Sequence, residues 1–164
     1  MIDPFCAPRV LSGRQLAAPA QAGSGLHLPL SADERTRLRG LRHCATGQPV
    51  LLQLPRGEPL QPGEWLGADD GLPPVQVEAA PESLLLVRAS EPLALLRAAY
   101  HLGNRHVALE VRPGELRLLD DPVLADLLVQ RGLELERRHE PFLPEGGAYA
   151  AHHGHSHSHH PHVP

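Results

Sequence analysis

Hydrophobic positions divide the chain into two stretches of different rhythm, which meet near Ala79-Ala80-Pro81. Between residues 26 and 78 the apolar residues come in short pieces: Leu26 to Leu30, Leu38 to His43, Pro49 to Leu54, Trp65-Leu66 and Val75 to Val77. Gly47-Gln48, Pro55-Arg56-Gly57, Pro62-Gly63-Glu64 and Asp70-Gly71 separate them. Glycine there supplies positive φ and proline a fixed corner, so these are turns. The spacing predicts a small all-β domain over residues 1–78. Within it Arg35, Arg37 and Arg39 alternate, which on a strand places them on one face as a basic stripe. Such a stripe is either an ordinary solvated face or a docking patch for an acidic partner. Residues 1–25, rich in Ala, Pro, Gly and Ser, show no period and read as a loose arm.

From residue 79 to 147 the pattern alternates between strand and helix. Leu84 to Arg88 is a short apolar run of the kind that forms a buried strand. Ser90 offers an N-cap with Glu91 and Pro92 in the first turn, and Leu93, Leu96 and Tyr100 then recur on one helical face up to Gly103. Val107 to Val111 is a strand, Arg112 to Glu115 a turn, and Leu116 to Leu119 pairs back as a hairpin. A second helix starts at Asp120 or Asp121 with Pro122 just inside, buries Leu124, Leu127 and Leu128, and ends at Gly132. Leu133 to His139 is the last strand. The order βαββαβ predicts a ferredoxin-like domain, so the class is α+β.

Composition bears on function mainly by exclusion. With 41% hydrophobic residues in 164, both domains have material for a core. A net charge of −4 with mixed signs argues against nucleic-acid binding. All fifteen basic residues other than histidine are arginine, so a phosphate-binding loop that needs lysine is excluded. Cys6 and Cys44 are far apart and lack zinc-ligand spacing, which leaves them as ordinary packed or exposed thiols. No apolar run approaches the ~18 residues of a membrane span and the first residues lack signal-peptide order, so no membrane association is expected and the compartment is cytoplasmic. No metalloprotease or serine-hydrolase motif occurs, which points away from an enzyme.

The chemistry lies in the histidines. Seven of the twelve, His152, His153, His155, His157, His159, His160 and His162, fall in residues 148–164 among Gly, Ser and Pro, a composition that predicts a disordered tail. Neutral imidazole suits nickel, zinc and copper rather than calcium or magnesium. Gly103-Asn104-Arg105-His106 marks the turn after the first helix of the second domain. On spacing alone His106 is either a plain turn histidine or a ligand. Were the domain to dimerise about a two-fold axis near this turn, two copies of His106 would face each other, with Tyr100 and Leu102 in the apolar contact.

Several stretches together carry a resemblance. Arg97 to Val107 (RAAYHLGNRHV), Pro141 to Tyr149 (PFLPEGGAY) and the histidine tail resemble the UreE family of urease accessory proteins. So do Leu54-Pro55-Arg56-Gly57, Leu60, Gly63 to Leu66, and Ala79 to Glu82 upstream. The resemblance implies a homodimeric nickel chaperone, with an N-terminal β domain for partner contact and a C-terminal domain that dimerises. It further implies that His106 and its symmetry mate hold nickel with help from tail histidines, with Zn or Cu as further occupants. The implied role is delivery to apo-urease through a complex with the urease GTPase and other accessory proteins. A metal buffer and a non-catalytic adaptor in metalloenzyme assembly are the alternatives. Some members carry further ligand histidines where this chain has Leu119-Asp120-Asp121-Pro122, which leaves Asp120 as a helix cap. His101 is a weaker ligand candidate, and His27, His43 and His139 are isolated.

Overall fold

The structure, a computed structural model, describes residues 7–15 and 26–146. Its first part contains β1 (Arg9–Leu11), β2 (Gly13–Gln15), β3 (Leu26–Leu30), α1 (Ala32–Thr36), β4 (Arg39–His43), β5 (Pro49–Gln53), β6 (Trp65–Gly67) and β7 (Val75–Ala79). These form two sheets, in the orders β1-β5-β4 and β2-β6-β7-β3. Leu11, Val50 and Leu52 of the first share one buried cluster with Leu28, Leu66 and Val77 of the second, so the sheets enclose a common core. Residues 9–15 are therefore no loose arm, because β1 runs parallel to β5, β2 pairs with β6, and Leu11 is fully buried between them.

The all-β expectation is corrected by α1. Its signal was in the sequence as Ser31-Ala32-Asp33-Glu34. The Ser31 hydroxyl accepts from the Glu34 N–H (3.2 Å) while the Glu34 carboxylate accepts from the Ser31 N–H (3.0 Å), a reciprocal cap. The expected arginine stripe dissolves accordingly. Arg35 lies in the helix and is buried, Arg37 follows it, and only Arg39 is on a strand.

Arg35 joins the two parts of the molecule. Its guanidinium donates to the carbonyls of Leu30 (3.1 Å) and Phe142 (2.7 Å), and its own carbonyl accepts from the Leu60 N–H (2.8 Å). Burial pushes the guanidinium down from its ordinary value, and the Glu82 carboxylate pulls it back up. Arg35→Ala strands two buried carbonyls and opens a cavity, so the unfolding free energy is expected to fall by about 3 kcal/mol in urea titration.

The second part comprises β8 (Pro81–Arg88), α2 (Pro92–Gly103), β9 (Glu110–Arg112), β10 (Glu115–Leu119), α3 (Pro122–Gln130) and β11 (Glu134–Pro141). One sheet has the order β11-β8-β10-β9, and every neighbouring pair is antiparallel. Leu85, Val87, Leu116 and Leu118 point to one side and pack with Ala98 and Leu102 of α2 and Ala125 and Leu128 of α3. Leu84 and Leu86, of opposite parity, pack with Phe142 on the other side. Several local expectations shift. Glu91, not Ser90, is the N-cap of α2, and no side chain caps it. Residues 107–109 are outside the strand, which begins only at Glu110. Ala125 and Leu128 are the buried residues of α3, with Leu124 and Leu127 half-exposed.

The other side of this sheet carries an ion-pair ladder. Arg88 reaches Glu115 and Glu136, and Arg117 reaches Glu115 and Glu140, with Glu115 and Arg117 themselves buried. Burial pushes the Glu115 carboxyl up, but the bonds from Arg117 and Arg88 outweigh this and hold it below the ordinary carboxylate value. Arg88 and Arg138 hold Glu136 down likewise. A lowered folded-state pKa contributes stability that is present above the unfolded value, about 4.3, and is lost as pH falls through the folded one. Urea midpoints are accordingly expected to drop on acidification below about pH 4, and Glu115→Gln should flatten that slope.

Candidate metal centre

Helix α2 is apolar on two faces. Ala98 and Leu102 enter the core, with Ala94, Leu95 and Ala99 beside them. Leu93, Leu96 and Tyr100, the apolar face expected from the spacing, are 55%, 67% and 66% exposed. Leu102, expected beside Tyr100 in a contact between copies, is instead a fully buried core residue. Val111 of edge strand β9, opposite Leu116 on the helix side of the sheet, is also exposed. Arg97 and His101 lie between the two faces, so the free one is a contiguous apolar patch of the kind that marks a protein contact. The run Leu93-Ala94-Leu95-Leu96 was the sequence signal for this, and reading a single face missed it.

Past Gly103 the chain closes the helix with two backward bonds. The Val107 N–H reaches Leu102 O (3.2 Å) and the His106 N–H reaches Gly103 O (2.9 Å). Helix α3 ends the same way, with the Leu133 N–H on Leu128 O (3.2 Å) and the Gly132 N–H on Val129 O (2.9 Å). This closure needs a left-handed residue, for which glycine is preferred. In α3 that residue is Gly132, at φ 75°. In α2 it is His106, at φ 57°, the one positive-φ residue other than glycine among the described residues. A side chain in this conformation costs about 1–2 kcal/mol. Such strain is retained where the side chain has a use.

His106 is exposed and follows the end of α2 by three residues. Nearby, Tyr100 and His101 meet ring edge to face at 5.6 Å, and Arg105 donates to the His101 carbonyl (3.1 Å). No three potential metal ligands converge among the described residues, at His106 or elsewhere. The tail histidines lie outside those residues, but the root of their segment does not. The Glu145 N–H donates to the Leu109 carbonyl (2.7 Å), and the Leu143 N–H to the Glu110 carboxylate (2.9 Å). The chain thus departs toward the tail from a point bonded three residues beyond His106.

The remaining candidates separate cleanly. Asp121 caps α3 by accepting from the Leu124 N–H (2.9 Å), while Asp120, expected as the cap, pairs with Arg137 (3.0 Å). His27 pairs with Glu78 (2.6 Å), His43 and His139 are exposed on strands, and none joins His106. Cys44 is buried, and burial pushes its thiol up, which makes it unreactive. Cys6 lies outside the described residues.

These features define a two-domain α+β protein with an uncovered apolar helix face in its second domain. Residues 9–80 match the N-terminal domain and residues 82–163 the C-terminal domain of the UreE urease accessory protein. Among relatives, a urease accessory protein UreE of Parasynechococcus marenigrum is 56% identical over 139 residues, 85% of this chain and 92% of its own. Another, from Burkholderia orbicola, is 46% identical over 156 residues, 95% of this chain and 74% of its own. The chain belongs to the UreE family of urease accessory proteins, which are not enzymes. No described helix is long and apolar enough to cross a membrane.

Proposed function

We propose that this protein is a cytoplasmic, homodimeric nickel metallochaperone that delivers its ion to apo-urease in a complex with the urease GTPase accessory protein. The observation that carries the reading is His106 in the position glycine fills in α3, three residues past a helix whose Leu93, Leu96 and Tyr100 are uncovered. Two copies joined along those residues would bring two rigid imidazoles together. The strand order of the second domain supports reading it as ferredoxin-like, with 79–147 as the metal-binding and dimerisation unit, 1–78 as the β domain and 148–164 as the tail. Nickel is cargo here, and imidazole is a suitable donor for it, as for Zn or Cu.

The tail completes the shell by tether. His152 is seven residues beyond Glu145, a reach of about 24 Å at the extended limit. His152 and His153 therefore have the highest effective concentration at His106, and His155, His157, His159, His160 and His162 supply weaker, exchangeable ligands. Release proceeds one ligand at a time, without unfolding the domain. Truncation after Ala150 is expected to lower the number of nickel ions bound while leaving the fold and the His106 site, as read by calorimetry and circular dichroism. Complete loss of nickel binding on truncation would favour the buffering reading, in which the tail alone sequesters metal.

A further inference from the structure

Residues 35–57 hold five arginines, Arg35, Arg37, Arg39, Arg42 and Arg56, and no carboxylate, in a chain whose net charge is −4. Three of them, Arg37, Arg39 and Arg56, line a groove of about 490 Å³ floored by Leu38 and Leu54, with no acidic residue in its wall. Arg37 is engaged only by Asp33 (2.6 Å), both side chains being 63% exposed, and Arg39 only by the Leu54 carbonyl at 3.4 Å. Arg56 makes no ion pair among the described residues. Arg42 next to them keeps a buried Nε without a hydrogen bond, 3.9 Å from the Glu34 carboxylate.

An apolar row adjoins the groove. Strand alternation puts Arg39, Leu41 and His43 of β4 on the outward face of their sheet, and the register aligns Leu41 with Leu51 and Leu51 with Val10. Leu41 and Val10 are 51% and 39% exposed. Cationic groove and apolar row thus form one continuous surface, on the domain that does not carry His106.

We propose that this outward face of the β1-β5-β4 sheet, with the Arg37–Arg39–Arg56 groove at its end, docks an acidic segment of a partner protein that also presents apolar side chains. Charge complementarity selects the occupant, because a groove lined by three arginines, of which only Arg37 has a carboxylate partner, attracts an acidic chain and repels a basic one. The apolar row distinguishes it from a site for a small anion, which needs no such neighbour. The inference rests on the accessory role above, since a carrier has to touch its recipient while the metal end stays free.

The test uses the intact protein and a fluorescein-labelled peptide in which pairs of glutamates alternate with single leucines, read by anisotropy at low salt. Binding should weaken about tenfold in Arg39→Glu/Arg56→Glu, since two attractions become repulsions, weaken in Leu41→Asp, and stay unchanged in Arg131→Glu, an exposed arginine of the other domain. No binding, an equal loss in Arg131→Glu, or stronger displacement by inorganic phosphate or a single-stranded oligonucleotide than by unlabelled peptide would overturn the docking surface. His106→Gly should bind the peptide normally, and Arg39→Glu/Arg56→Glu should titrate nickel normally, so failure of the docking surface and failure of the chaperone reading are separable.

Discussion

His106→Gly is expected to make the protein more stable and to abolish its tightest nickel site. The two effects have one cause. At φ 57° glycine carries none of the strain that histidine does, so the unfolding free energy should rise by about 1 kcal/mol. The same substitution removes an imidazole from each copy, hence two ligands from a shared ion. Loss of outer-shell partners alone weakens metal sites about 10–100-fold, so loss of two direct ligands should exceed about 100-fold. His106→Ala should lose the metal equally without the gain in stability, which separates the backbone from the imidazole. Calorimetric nickel titration beside urea unfolding checks both; a His106→Gly protein that still binds nickel tightly would remove His106 from the site.

Leu96→Glu should convert the dimer to monomer and take the tight site with it. Leu96 is 67% exposed in one copy and lies between Leu93 and Tyr100 on the free face of α2. Burying a leucine contributes about 1.5–3 kcal/mol, and two-fold symmetry counts it twice. The dimer constant should therefore weaken about 10²–10⁴-fold, before the cost of burying two carboxylates is added. Leu72→Glu, at a residue 57% exposed in the first domain, serves as the control and should remain dimeric in sedimentation equilibrium. If Leu96→Glu remains dimeric, the copies meet elsewhere.

Much of the fold was legible because periodicity reports burial directly. Leu26 to Leu30, Pro49 to Leu54, both helices of the second domain and the hairpin after Arg112 follow from alternation and turn residues, and their positions agree with the structure to within a few residues. What failed was competition between signals. Three alternating arginines suggested a strand, yet the Ser31 and Glu34 cap, local and reciprocal, turns that stretch into helix. Residues 9–15 lack any period because strands as short as β1 and β2 show too few positions for one. For the site, the sequence pointed to His106 by position but not to its left-handed backbone, which becomes visible only when the closing bonds of α2 and α3 are compared. Nor did it separate the two faces of α2, since Arg97 and His101 lie between two apolar faces and do not mark which one the core takes.

The most direct test of the shared nickel site is its stoichiometry. Protein truncated after Ala150, titrated with nickel by calorimetry at neutral pH, should show one tight ion for every two chains, because the His106 imidazoles of two copies hold it together. One tight ion per chain, or none, would contradict the account.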